Sequence, residues 1–507
     1  MSKLYAPVWV APVQKFAIIF VVTVLILTPI GAARAADGEF VWARSMGGDN
    51  WDTGFDIALD GAGNVYTTGF FKGTADFDPG PGVFNLISAG TANIYLDIFV
   101  SKLDSDGNFV WARSMGGSND DTGLGISADG AGNVYTIGRF QGTADFDPGP
   151  GTFNLTSAGS AGAFDIFVSK LDSVGNFVWA RSIGSSDQDK GFDIAVDETG
   201  NVYITGLFEG TVDFDPGPGT FNLTSTSGSA DIFVSKLNSD GNFVWAQSMG
   251  GLNGDIGLRI AVDGAGNVYP NGSFRGTTDF DPGPGTFNLT SAGDADIFVS
   301  KLDSAGNFVW AWSKGSSGFD EGLGIVVDGT GNVYTTALLQ DAVASSSDAD
   351  IFVGKLDSAG NLVWGRSMGS PGFDKGYGIA LDRPGDIYIT GTFHGTVDFD
   401  PGPGEFNITS DGDGDIFVSK LDSDGNFVWT RSMGGAKFEE GIGIVVDETG
   451  NIYTAGRFQG TADFDPGSGT FNLTSTGFDD IFVSKLTGST PDDSDSSIII
   501  FLPIIVR

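Results

Sequence analysis

The stretch DIFVSKLDSDGNFVWARSMGG, residues 97–117, decides how this chain folds. Two runs rich in β-branched and aromatic residues flank Asp-Ser-Asp-Gly-Asn, residue types that tolerate positive φ or hydrogen-bond their own backbone, so the stretch reads as an antiparallel hairpin. Near copies recur along the chain and place a tryptophan at Trp42, Trp111, Trp179, Trp245, Trp310, Trp364 and Trp429, at spacings of 69, 68, 66, 65, 54 and 65 residues. Self-similarity at a fixed period outranks any single residue as a fold signal.

Each unit carries two more strand-like runs, as in FDIALD (55–60) and NVYTTG (64–69), joined by DGAGN or DETGN. Four strands per unit in seven units predict an all-β fold, a seven-bladed β-propeller with four strands per blade. The ends do not match the repeat. Residues 40–46 precede the first FDIALD without a hairpin partner, and the last DIFVSKL, 480–486, has no FVWARS after it. The N-terminal strand is therefore expected to close the last blade, leaving no open edge. In the first strand Phe55, Ile57 and Leu59 share one parity while Asp56 and Ala58 are small or polar, as suits strands converging on an axis. The seven tryptophans are expected to fill the wide outer part of each blade.

The pattern G-I-x-x-D-x-x-G-N-x-Y-x-x-G followed by DIFVSKLDxxGN resembles the SBBP-type β-propeller repeat of secreted bacterial proteins, over about 450 of the 507 residues. The resemblance implies the fold and does not tie the chain to one reaction.

Composition narrows the function. With 26 basic against 64 acidic residues the formal charge is −38, a surface that repels phosphate backbones and anionic membranes, so nucleic acid is excluded as a partner. The absence of cysteine leaves core burial as the source of stability. Lys3 and Lys15 precede or open an apolar run, 16–30, that ends in Ala32-Ala33-Arg34-Ala35, which reads as a signal peptide over 1–35. The other reading, an uncleaved anchor, needs a longer apolar run than about 15 residues. The mature chain is thus expected to be secreted or held at the cell surface, monomeric and without a transmembrane span. The propeller is expected over 37–487, followed by a tail at 488–507 in which an acidic linker leads to the apolar IIIFLPIIVR.

Two sets of carboxylates are candidate sites. GTADFDPGPG (73–82) recurs in six units, and the fifth replaces it with ALLQDAVASSSDAD while keeping its four strand runs, so the motif is an insertion between second and third strands. One reading is a hairpin projecting from one side of the ring. The other is a calcium site at Asp76 and Asp78, with counterparts at Asp145 and Asp147, Asp213 and Asp215, Asp279 and Asp281, Asp398 and Asp400, and Asp463 and Asp465. Calcium takes six to eight oxygens, whereas carboxylates at i and i+2 of a strand share a side about 6.5–7 Å apart, which favours the hairpin.

The second set, Asp52, Asp121, Asp189, Asp255, Asp320, Asp374 and Glu439, stands two residues before the glycine of each first strand. These side chains either form an acidic ring at the channel mouth, suited to a cation or basic ligand, or fix their own loops by accepting N–H groups. A recurrent lysine, from Lys102 to Lys485, is expected to make exposed ion pairs with turn carboxylates.

His394 is the one histidine, in a slot held elsewhere by Lys72, Gln141, Glu209, Arg275 and Gln459, so His-based nucleophilic or zinc chemistry is excluded. The expected function is a non-catalytic binding or structural scaffold for an extracellular protein or glycan. The alternative is an extracellular carbohydrate-active enzyme using carboxylates at the channel mouth. Departures from the repeat are few: Trp51, Arg259, Pro270-Asn271, Trp312 and the fifth unit's missing motif.

Overall fold

A computed structural model describes residues 37–90, 95–159, 162–340 and 349–488. The expected signal peptide and the tail from residue 489 lie outside the described residues.

Each unit folds into strands where its sequence alternates and turns where Asp-x-x-Gly-Asn intervenes. Thr53–Leu59, Val65–Lys72, Leu96–Leu103 and Phe109–Gly117 pair in that order as an antiparallel sheet. Among the described residues the same order recurs, giving seven sheets of four long strands. The first strands lie against one another in a cycle, which closes where Glu439–Val446 meets Thr53–Leu59. All-β structure with repeated antiparallel sheets is what the alternation predicted.

The two orphan runs pair as expected. Phe40–Gly48 lies antiparallel to Asn472–Leu486, with Phe40 opposite Leu486 and Met46 opposite Ile481. The closure extends into the turn, because Gly38 N–H donates to the Thr487 carbonyl and Thr487 N–H donates to Glu39. Asp37-Gly38-Glu39 thus supplies from the N-terminal side the turn that Asp-x-x-Gly-Asn supplies inside the other units.

A β-bulge changes the expected parity of the first strand. Gly54 faces Gly69 but Asp56 faces Thr68, so Phe55 is the extra residue, and the same shift recurs in all seven sheets. Ile57 and Ala58 are buried together, while Phe55 turns to stack on Phe70 with centroids 5.7 Å apart.

The tryptophans fill the outer blade and also reach the next sheet. Trp42 packs under Gly107, where an added Cβ would lie 2.9 Å from the indole, and its Nε1–H donates to the Ser105 carbonyl at 3.3 Å. Gly107 has φ +77°, so the turn needs glycine for its backbone as well. Arg44 lies over the same indole and donates from Nε to the Gly107 carbonyl at 2.8 Å. Trp111 with Arg113 and Trp179 with Arg181 grip Gly175 and Gly241 in the same way.

Candidate functional site

The recurrent acidic residues of the entry loops face inward. Asp52, Asp121, Asp189, Asp255, Asp320, Asp374 and Glu439 are all fully buried. Asp52 accepts the Gly48 N–H at 2.7 Å and the Lys72 N–H at 3.0 Å, tying the end of one sheet's fourth strand to the second strand of the next. Asp121, Asp189, Asp255, Asp320 and Asp374 repeat this bridge, and Glu439 takes the Gly435 N–H. Of the two readings of these carboxylates, the loop brace is the one these contacts describe, because backbone donors of each loop reach them. Burial pushes Asp121 up to about 8 and Asp52 to about 6.

The DFDPGPG segments form hairpins whose carboxylates are caps. Asp76 Oδ1 accepts N–H groups from Asp78 at 3.0 Å and Phe84 at 2.7 Å, and Asp78 Oδ1 accepts from Gly80 at 2.9 Å. The pairs Asp145 and Asp147, Asp213 and Asp215, Asp279 and Asp281, Asp398 and Asp400, and Asp463 and Asp465 do the same. Among the described residues no three His, Cys, Asp or Glu side chains gather as a metal site. Of the two readings of these carboxylates, the hairpin turn cap is the one these hydrogen bonds describe.

Nor do the hairpins project freely. Ala75 and Asp76 pair with Gly48 and Gly47 of the preceding sheet, and Phe77 is fully buried between Phe71 and Phe99 of its own. The hairpins of the first, second, fourth and seventh units pair in this way with the preceding sheet, and Asp398 of the sixth bridges Gly369. No such hairpin is present among the described residues of the fifth unit.

The lysines also differ from expectation. Lys102, Lys420 and Lys485 are buried, and all seven lie over a tyrosine ring of the neighbouring strand, Lys102 at 4.8 Å from the Tyr66 centroid. Lys102 donates onward to the Ser173 carbonyl of the next sheet. These lysines belong to the joints between sheets, held by ring quadrupoles and carbonyls. The expected ion pairs with turn carboxylates form at Lys102, 3.5 Å from Asp60, and at Lys420, 3.0 Å from Asp37 and from Asp386, though in buried rather than exposed settings.

With the recurrent polar residues consumed by the scaffold, the residues that break the repeat stand out. The first-strand slot after the bulge is glycine in four sheets, Gly125, Gly324, Gly378 and Gly443, but holds Asp56, Asp193 and Arg259 in the other three. Asp56 Oδ2 accepts the Ile126 N–H, and Asp193 Oδ2 accepts the Ile260 N–H, both at 2.8 Å and both across to the next first strand. Burial raises both carboxyls, and the Arg259 guanidinium opposes the shift in each.

A second variable slot lies three residues earlier. Glu321, raised by burial, feels Lys375 and Arg259. Lys375 lies over Tyr377, while Glu440 is bound by Arg457 at 2.8 Å and Arg457 also reaches Asp479 at 3.1 Å. Asp479 accepts from its carbonyl the Asp52 N–H, which places this network beside Trp51. Trp51 and Phe478 meet edge to face at 5.6 Å and are 50% and 58% exposed, whereas the outer-strand tryptophans are buried or half-buried. The sequence had marked Trp51 and Arg259 as departures. It had not marked Asp56 and Asp193, whose signal was their alternation with glycine across the repeats.

Residues 178–207, which run from a clasping Trp179 through Asp189 and Asp193 to Tyr203, match the family model described as "Beta-propeller repeat", SBBP. The chain is a β-propeller repeat protein. It is 22% identical over 512 aligned residues to the uncharacterized WD repeat-containing protein L264 of Acanthamoeba polyphaga mimivirus, covering 84% of this chain and 36% of that protein. It is 27% identical over 176 residues to the regulatory protein FlaEY of Caulobacter vibrioides, covering 35% of this chain and 17% of that protein. The propeller-repeat chain thus spans little more than a third of the length of the first of these curated relatives and about a sixth of the second. Among solved structures it is similar to the WD40 domain of Neurospora crassa Pan2, at 9% identity and a TM-score of 0.42, covering 86% of this chain and 91% of that one. Sqt1 from Chaetomium thermophilum gives 9% identity and a TM-score of 0.37, covering 89% and 99%.

Proposed function

We propose that this β-propeller repeat protein is a seven-bladed propeller with four strands per blade, acting as a non-catalytic binding scaffold at or outside the cell envelope. A glycan or an extracellular protein is its ligand, bound where Trp51 and Phe478 meet the charges of the first strands. The observation that carries this reading is the slot shared by Asp56, Asp193 and Arg259. Glycine builds the same strand in four sheets, and although Asp56 and Asp193 each bridge to the next first strand, placing charge in a half-buried setting costs stability, so we read these three side chains as serving a ligand as well as the scaffold.

The exposed aromatic pair adds apolar surface beside donors and acceptors, a combination suited to a sugar face or a peptide. The carboxylates that the enzyme reading would use, such as Asp52, Asp121 and Asp255, are spent on backbone N–H groups. The test is a glycan array and an extracellular-protein pull-down with the chain from residue 37, run beside Trp51→Ala with Phe478→Ala. Binding by the parent and its loss in the double variant support the proposal. Retained binding, or turnover of a pooled glycan substrate, contradicts it.

A further inference from the structure

The junctions between sheets contain a second buried carboxylate that the binding reading does not use. Each third strand carries an aspartate just before its Ile-Phe-Val run, among them Asp97, Asp165, Asp231, Asp296, Asp415 and Asp480, all 1–4% exposed. Asp97 lies against Gly116, where an added Cβ would come 2.6 Å from its Cγ, and the next residue, Gly117, donates its N–H to Asp121. Two acids of different sheets therefore sit on consecutive residues of one strand. The pattern recurs: Asp231 is at Gly250 and Asp255 takes the Gly251 N–H, while Asp480 is at Gly47 and Asp52 takes the Gly48 N–H.

One oxygen of each third-strand aspartate is satisfied, Asp97 Oδ2 by Ala89 N–H and Asp231 Oδ2 by Thr226 N–H. The other oxygen, Oδ1, is buried without a hydrogen-bond partner in Asp97, Asp165, Asp231, Asp296, Asp415 and Asp480. A carboxylate oxygen buried beside a second carboxylate with no donor is costly, and a proton removes both the charge and the orphaned acceptor.

We propose that these junctions are proton-binding sites, in which the third-strand aspartate and the entry-loop carboxylate hold one proton between them. The proton resides on the oxygen that no N–H reaches. Around Asp97 and Asp121 the other titratable groups are Asp120, whose carboxylate accepts the Leu96 N–H, and Arg139, which faces Asp120 and lies over Phe164. The fourth strand and the hairpin turn bring backbone N–H groups alone. Around Asp231 and Asp255 the nearby cation is Arg275, whose guanidinium is 3.5 Å from Asp294.

Burial raises the four acids, Asp97 to about 7, Asp121 to about 8, Asp231 to about 6 and Asp255 to about 7, and the values belong to each pair jointly. A folded pKa above the unfolded one means that the native state binds the extra proton. The stabilisation is complete below the ordinary carboxylate range and is lost as pH rises through about 6–8. The protein is thereby built to tighten in mildly acidic surroundings.

The test compares denaturation midpoints of the parent with Asp97→Asn and Asp231→Asn at about pH 5 and about pH 8.5, since asparagine mimics the neutral acid. The parent midpoint is expected to fall between the two conditions, and each variant to lose part of that fall and to exceed the parent at the higher pH. Unfolding the parent in weakly buffered denaturant near about pH 6 is expected to release protons. Variants weaker than the parent at both pH values, no proton release, or a parent midpoint that rises with Ca²⁺ in a manner abolished by Asp97→Asn would overturn the proposal.

Discussion

Trp429 lies beneath Gly38, with an added Cβ at residue 38 only 3.2 Å from the indole, although the two are separated by nearly the whole repeat region. The contact repeats the one Trp42 makes with Gly107, so the chain's two ends meet through the same joint that links its interior units. Arg431 completes it by donating to the Gly38 carbonyl at 3.2 Å, and Lys420 reaches Asp37 at 3.0 Å.

Deleting residues 37–47 removes the outer strand of the last sheet and the turn over Trp429. The pairing edge of Asn472–Leu486 is then free, and aggregation is expected. Size-exclusion chromatography with light scattering checks it: the deletion should appear as oligomers at concentrations where the parent is monomeric.

The clasp between interior sheets makes its own prediction. Trp111→Ala removes a buried side chain that packs on Gly175 and Tyr66, at an expected cost of about 3–5 kcal/mol. Arg113→Lys keeps the charge but loses the planar fork that reaches the Gly175 and Val174 carbonyls, so a smaller loss of about 1 kcal/mol is expected. Urea denaturation of both variants measures the difference.

Calcium should not stabilise the chain specifically. Asp76 and Asp78 cap turns, so the melting temperature in millimolar Ca²⁺ is expected to match that in equal Mg²⁺. A rise confined to Ca²⁺ and reversed by chelator would contradict turn capping as their role.

At low pH a different set of acids decides stability. Asp104, in an Asp-x-x-Gly-Asn turn, is held below the usual carboxylate range because hydrogen bonds from Asn108 and from the Asp106 N–H outweigh its slight burial. Asp172 and Asp422 are lowered in the same way. A depressed folded pKa gives stability present above the unfolded value and lost as pH falls below about 4. The denaturation midpoint should therefore drop steeply there, and Asp104→Asn should soften the drop.

The repeat made the strands, turns and closure legible, because alternation and Asp-x-x-Gly-Asn are local properties. The joints were not legible. That Lys102 lies over Tyr66, or that Gly116 makes room for Asp97, depends on how one sheet approaches the next, and no local pattern encodes that distance. Asp52 was visible as recurrent, but recurrence alone does not separate a loop brace from a binding ring. Asp56 and Asp193 were obscured for the opposite reason: in one unit they resemble any small polar residue, and their meaning appears only against the glycines of four others.

The most direct test of the binding account returns the divergent slot to the scaffold's own residue, with Asp56→Gly, Asp193→Gly and Arg259→Gly combined in one chain. If the three charges serve a ligand, the melting temperature near neutral pH should stay level or rise while capture of glycan or protein is lost. A chain that melts well below the parent, or that melts normally and binds as before, would contradict the account.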